Sequence, residues 1–180
     1  MRKEKSLPRH TLIILMGLSE TTKATLLGKI ILESHDDAKL ISLEKTKKAY
    51  KFLNDMDMLN KYHQNISMAL KNYEYVIVDG DCLTPFTRDD FFNNIILPSG
   101  TKVIGVWIDS SLTSTLKANE SAPGGLRKPD TVIREMFKIK SSPIGDERFD
   151  TLISLNVDDN SGFIQNTQKI TNVIEQLKGL

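Results

Sequence analysis

The sequence predicts an α/β domain built on a mostly parallel five-stranded sheet, doubly wound, with helices on both faces. Three observations carry this. Short apolar runs recur, and the clearest of them lack strict polar alternation, as in strands covered on both sides. Segments of helical periodicity separate them, as right-handed βαβ connections require. A length of 180 residues with 39% hydrophobic content suits one compact domain with a single buried core.

The elements follow in order. Residues 1–10, MRKEKSLPRH, are charged and read as a flexible lead-in. TLIILM at 11–16 is the first strand. It lacks a signal-cleavage pattern and falls far short of the ~20 apolar residues that span a bilayer. Leu26, Leu27, Ile30 and Ile31 then mark a helix, and KLISL at 39–43 is a weaker strand. Leu59, Tyr62, Ile66 and Leu70 mark the helix that precedes the strand YVIVD at 75–79. GDCLTPFTRDD, 80–90, reads as a loop directly after that strand end, where open α/β sheets hold their ligands. KVIGVWID at 102–109 is the next strand. ESAPGGLRKPD, 120–130, has two prolines and two adjacent glycines and reads as a loop able to fold over the same edge. It leads into a helix starting at Asp130 or Thr131 and carrying Val132, Ile133 and Met136. TLISLN at 151–156 is the last strand, and Ile170, Val173, Ile174 and Leu177 mark a closing helix. No linker or internal repeat divides the chain, so 1–180 is expected to be a single domain.

A net charge of +1 gives no global argument for a nucleic-acid or membrane partner. Cys82 is the only cysteine, which rules out an intramolecular disulfide and makes a reducing compartment the default. A cytoplasmic protein without membrane contact is the expectation.

The turn after the first strand carries the first chemical signal. GLSETTKAT gives Gly17, Thr22, Lys23, Ala24 and Thr25 in the layout of a phosphate-binding loop, normally spelled GxxxxGK[ST]. Such a loop turns consecutive backbone N–H groups toward phosphate oxygens at a helix N-terminus, and its lysine reaches the β/γ-phosphates. Two positions depart from that spelling. Thr22 is β-branched, so a positive φ there costs roughly 1–3 kcal/mol unless the loop changes shape. Ala24 has no oxygen, which removes one direct magnesium ligand, although magnesium commonly keeps several waters and a second carboxylate. Glu20 adds a negative charge inside an anion-binding loop. Read alone, the stretch is equally a tight strand-to-helix turn with a chance lysine.

Beyond the weak strand, ISLEKTKKAY places Glu44 and Lys47 three apart on one helical face. A carboxylate there can accept a proton from an attacking hydroxyl, and a cation one turn on can hold an acceptor phosphate. The same pair is also the commonest form of surface salt bridge. The basic run EKTKKAYK, with Tyr50 and Phe52, can track a nucleic-acid backbone or simply form a solvated helix face.

Taken together, several stretches resemble the P-loop kinases related to phage polynucleotide kinase, in which a hydroxyl accepts the γ-phosphate of ATP. The resemblance covers roughly residues 11 to 156. LIILMGLSETTKATL resembles LIILxGxPGSGKSTL, and ISLEKTK resembles xSxDxxR. VIVDGDCLTPFTR resembles VIVDxTNLxPxxR and keeps Asp79, Leu83, Pro85 and Arg88. RKPDTVIREMFKIKSSP resembles a lid pattern, and SPIGDERFDTLISL resembles xPxxxEGFDxVxxV.

The resemblance implies the three-layer P-loop NTPase fold with a lid-like segment at 120–140, and ATP with Mg2+ as ligands. Its site residues carry over as follows. Gly17, Thr22, Lys23, Ala24 and Thr25 would bind the nucleotide, Lys23 at the β/γ-phosphates and Thr25 near the α-phosphate. Asp79 would hold magnesium through water. Glu44 would be the base, and Lys47 and Arg88 would bind the acceptor. Arg127 and Arg134 would neutralise charge on the transferred group. The departures fall at chemistry. Glu44 stands where the family has aspartate, which moves the carboxylate by about an ångström and can cost on the order of 10²-fold in rate. Lys47 gives a point charge in place of a bidentate guanidinium. Cys82 stands at an asparagine and reads as a buried thiol, and the arginine expected near Ser121 is missing. Asp79 also fits as a plain helix cap, and Arg127 and Arg134 as ordinary surface arginines. Three functions are therefore expected. They are ATP-dependent phosphoryl transfer to a hydroxyl such as a polynucleotide 5′-end, a pseudokinase with a degenerate site, and a nucleic-acid end-binding module.

Overall fold

The computed structural model describes residues 10–18, 32, 37–80, 82–122, 127–145, 147–157, 171, 172, 175 and 176. Five strands, β1 (Thr11–Met16), β2 (Ala38–Ser42), β3 (Tyr75–Asp79), β4 (Lys102–Asp109) and β5 (Thr151–Asn156), form one sheet. Their order is β2-β3-β1-β4-β5 and every pairing is parallel. Four strands occupy the ranges their apolar runs predict. β2 instead starts and ends one residue early, because Ser42, its last residue, caps a helix that takes up Leu43.

The described helices are α1 (Leu43–Ala49), α2 (Asp55–Asn72), α3 (Pro85–Asn94), α4 (Leu112–Glu120) and α5 (Asp130–Ile139). The first four begin on a polar cap. Ser42, Asn54, Thr84 and Ser111 each accept a backbone N–H from three residues on, a contact worth about 1 kcal/mol apiece. Thr84 and Thr87 form a reciprocal capping box, with Pro85 in the first turn. The stretch expected as a loop over 80–90 is therefore half helix. α4 has no apolar signature because its buried face is Ser114, Thr115 and Asn119. α5 starts at Asp130, where the loop composition predicts.

The sheet divides the core in two. Leu12, Ile14, Met16, Val76 and Val78 pack on one face with Tyr62, Ile66, Leu70, Phe91 and Phe92 from α2 and α3. Ile13, Leu15, Ile77, Val106 and Ile108 form the other cluster, against which Leu32 packs. β1, β3 and β4 thus bury both faces, which is why their apolar runs are continuous, whereas the edge strand β5 alternates buried and exposed residues. No described helix is long and apolar enough to cross a membrane. The helices expected from Leu26 to Ile31 and from Ile170 to Leu177 lie outside the described residues, except that Thr171, Asn172, Glu175 and Gln176 are helical.

Candidate functional site

The parallel register brings the flagged strand ends to one edge. Asp79, the last residue of β3, pairs with Ser42 of β2 on one side and Leu15 of β1 on the other. Gly17 lies two residues past Leu15, and Glu44 two past Ser42. The connection leaving β1 runs toward β2 while that leaving β4 runs toward β5, so the topological switch point falls between β1 and β4. This is the crevice where such sheets bind ligands.

Gly17 sits in that crevice. Its φ is +134°, and a Cβ there would collide with the carbonyl oxygen of Ile108 on β4. Conformation and close approach both demand glycine. Thr22, Lys23, Ala24 and Thr25, the remainder of the loop, lie outside the described residues.

α1 starts directly after β2. The Ser42 hydroxyl accepts from the Lys45 N–H at 3.4 Å, and Thr46 Oγ1 donates to the Ser42 carbonyl at 3.0 Å. This fixes Glu44 in the first helical turn. Lys47 Nζ stands 3.6 Å from Glu44 Oε1, with the lysine 41% and the glutamate 32% exposed. The shared face predicted by their spacing is present, and at that exposure the pair itself contributes no more than about 1 kcal/mol. Asp79 is buried at its strand end, and its main-chain carbonyl accepts from the Tyr62 hydroxyl at 3.2 Å. No cluster of three metal-ligating side chains exists among the described residues. Magnesium beside nucleotide phosphates commonly takes only one or two carboxylates, so Asp79 fits that mode.

Arg88 departs from its expected acceptor role. Its side chain is 1% exposed, and its guanidinium is engaged internally. Nε and Nη2 donate to the two oxygens of Glu147, the latter at 2.8 Å, while Nη1 donates to the Cys82 and Ser141 carbonyls at 3.2 and 2.9 Å. Hydrogen bonds from the Arg88 guanidinium hold the Glu147 carboxyl below its usual range. The arginine is a clamp between the segment after β3 and the segment before β5. Cys82 is a buried free thiol, as its sequence setting predicts.

The expected lid segment is anchored at both ends. The Asn119 amide donates to the Lys128 carbonyl at 2.7 Å and accepts the Lys128 N–H at 2.9 Å. Beyond α5, Lys140 Nζ donates to Asp109 Oδ1 at 2.7 Å and to the Ser110 carbonyl at 3.1 Å. The Ser141 N–H then reaches the Leu83 carbonyl at 2.8 Å. α5 thus ends beside the carboxyl ends of β3 and β4, with Arg127 and Arg134 both exposed along the segment.

Sequence reasoning missed a cavity of about 180 Å³ beside the ends of β2 and β3, walled by Leu43, Tyr62, His63, Cys82, Thr87 and Asp90. His63 lies four residues after Leu59 and three before Ile66, so the helical period that marks α2 also puts it on the buried face. Burial lowers the imidazole pKa from 6.5, opposed in part by the charge of Asp90.

No protein-family model matches the chain, and no curated protein matches it in sequence. Solved structures do resemble it. A sugar kinase from Janibacter sp. HTCC2649 aligns with a TM-score of 0.63 at 13% identity, over 96% of this chain and 95% of that one. The chain shares the fold of that structure, a five-stranded all-parallel sheet with helices. Two further structures share this fold. A gluconokinase from Sinorhizobium meliloti 1021 has a TM-score of 0.51 at 17% identity, covering 95% of this chain and 96% of its own. A shikimate kinase from Bacteroides thetaiotaomicron has a TM-score of 0.53 at 12% identity, covering 94% and 98%. At such identities the likeness establishes the fold and nothing finer.

Proposed function

We propose that the chain binds ATP at the turn after β1 and transfers its γ-phosphate to the hydroxyl of a small-molecule acceptor. The observation that carries this reading is the convergence of Gly17, Glu44 and Asp79 at one sheet edge, beside the switch point. In this reading Lys23 contacts the β/γ-phosphates and Thr25 the α-phosphate region. Asp79 would hold Mg2+ through water, and magnesium when bound neutralises charge on the phosphates. Glu44 takes the acceptor hydroxyl proton as the new O–P bond forms and the bond to the β-phosphate oxygen breaks, releasing ADP. Lys47 holds the acceptor, and Arg127 and Arg134 balance charge on the group in flight. The cavity beside His63 offers space for a small acceptor next to Glu44's helix. The kinase names of the structural neighbours favour a small acceptor over a polynucleotide 5′-hydroxyl.

Titration calorimetry with ATP, with and without Mg2+, on wild type and Lys23→Ala tests the site. Binding that survives the substitution unchanged refutes it. Labelled γ-phosphate transfer to a panel of sugar and sugar-acid hydroxyls, with a 5′-hydroxyl oligonucleotide as a parallel arm, then tests the acceptor.

Thr22 and Ala24 favour a second reading, a pseudokinase that uses the fold for binding or regulation. It predicts ATP binding that is metal-independent or absent, with no transfer. Ala24→Ser separates the two, because a gain in magnesium dependence means the remaining site geometry is competent.

A further inference from the structure

The outer flank of the sheet carries a second concavity, remote from the edge just described. A groove of about 430 Å³ runs along the outer side of β2 between α1 and α2. β2 is an edge strand, and β3 separates it from β1. The groove therefore lies roughly 10 Å, two strand spacings, from the phosphate-loop strand. Its volume falls within the ~300–1,000 Å³ typical of small-molecule sites.

Its chemistry is specific. Ala49, Ala69 and Met68 supply an apolar surface, and Met68 is 60% exposed. Tyr50 and Tyr73, both half-buried, line it as well. Lys39 and Lys45 are its charged residues, and no carboxylate lines it. Lys39 Nζ rests 5.7 Å from the centre of the Tyr73 ring rather than on an acid, and the Lys45 ammonium has no ion-pair partner among the described residues. The half-buried Asn65 amide, also in the lining, makes no hydrogen bond among the described residues. Lys47, in the same basic run, instead stands 3.6 Å from Glu44 and does not line the groove.

We infer that this groove binds a nucleotide, either free or as a unit of a single strand. The ligand that matches is planar, apolar on its faces, polar at its edge and anionic at one end. Met68 and the tyrosines take a base by dispersion and aromatic contact. The Asn65 amide, donor and acceptor side by side, reads its edge, and the two lysines take the phosphate. The site stands independently of phosphoryl transfer at the β1 edge.

The test is calorimetric titration of the full chain with AMP, with inorganic phosphate, a short oligothymidylate and a polyglutamate peptide as parallel arms. AMP is expected to bind wild type and Lys23→Ala alike, and to weaken by about ten-fold or more in the double variant Lys39→Glu/Lys45→Glu. Asn65→Asp, which brings a carboxylate to the base edge, is expected to weaken AMP binding without altering the response to inorganic phosphate. Both lysines are exposed, so the thermal midpoint of the double variant should match wild type; Lys39→Ala/Lys45→Ala serves if it does not. Oligothymidylate binding tighter than AMP and falling with salt assigns the site to a single strand, whereas AMP binding as tight or tighter assigns it to a free nucleotide. AMP affinity unchanged in the lysine variants, lost in Lys23→Ala, or replaced by binding of the acidic peptide alone overturns the inference.

Discussion

Arg88→Ala gives the sharpest test of how this fold is held. The substitution removes a fully buried guanidinium, leaves the Glu147 carboxylate only the Ile144 N–H at 3.2 Å, and takes away the Arg88 donor from the Cys82 and Ser141 carbonyls. Breaking a buried ion pair by deleting one partner costs about 3–5 kcal/mol. Glu147 keeps 17% exposure and recovers some hydration, so the low end, about 3 kcal/mol, is the expected loss. Against a total stability of about 5–15 kcal/mol this is a large fraction, and it should lower the thermal midpoint by about 6–12 °C. Urea unfolding of wild type, Arg88→Ala, Glu147→Ala and the double variant closes a mutant cycle, with an expected coupling of about 2 kcal/mol. Arg88→Lys keeps the charge but loses the fork, and should fall between the two. Additive single losses, or an Arg88→Ala protein within about 1 kcal/mol of wild type, would refute the clamp. An acceptor KM raised by Arg88→Lys at unchanged stability would restore the ligand role that family resemblance implies.

The same carboxylate gives a pH prediction. Glu147 has a folded pKa below its reference of 4.5, so its contribution is complete above that pH and is lost as the pH falls through the folded value. The stability gap between wild type and Glu147→Gln, measured by urea midpoints, should therefore be full at neutral pH and close in acid. His63 behaves in the opposite chemical sense with the same slope: its folded pKa lies below 6.5, so the unfolded chain binds more protons and stability declines as the pH drops under 6.5. His63→Gln should flatten that decline, and an unchanged profile would show that the imidazole is not desolvated. Gly17→Ala combines a strained φ of about 1–3 kcal/mol with a backbone collision against Ile108. It should destabilise the fold and eliminate ATP binding in calorimetry, whereas a stable, ATP-binding variant would mean the crevice is looser than its geometry indicates.

β1, β3 and β4 are legible because burial on both faces writes itself as continuous apolar runs, and β5, buried on one face only, still has the bounds its own run predicts. Helices whose buried faces are polar leave no such trace. α4 hides Ser114, Thr115 and Asn119, and α3 buries Arg88 with Phe91 and Phe92, a face at i, i+3 and i+4 whose first member is charged. The signal that was available was local chemistry, Thr84 with Pro85 before α3 and Ser111 before α4, rather than hydrophobicity. At the site, the positions one or two residues beyond a strand end were readable, because the strand fixes where they emerge. Arg88 was not, since its partner Glu147 lies 59 residues away and no spacing rule connects them.

The clamp also bears on the proposed chemistry without touching it. The Arg88 guanidinium that holds Glu147 also binds the Ser141 carbonyl, while the Ser141 N–H binds Leu83. Ser141 closes the segment that carries Arg127 and Arg134, and Lys140 beside it is bonded to Asp109 at the end of β4. One buried side chain therefore sets where the C-terminal end of α5 meets the carboxyl edge. Arg88 is a positioning residue in this scheme, and a one-ångström displacement of groups it supports can cost on the order of 10²-fold in rate. Arg88→Lys should then lower kcat more than it raises the KM for ATP, even at temperatures where the variant remains fully folded. A proportional loss of kcat and folded fraction would instead confine Arg88 to stability alone.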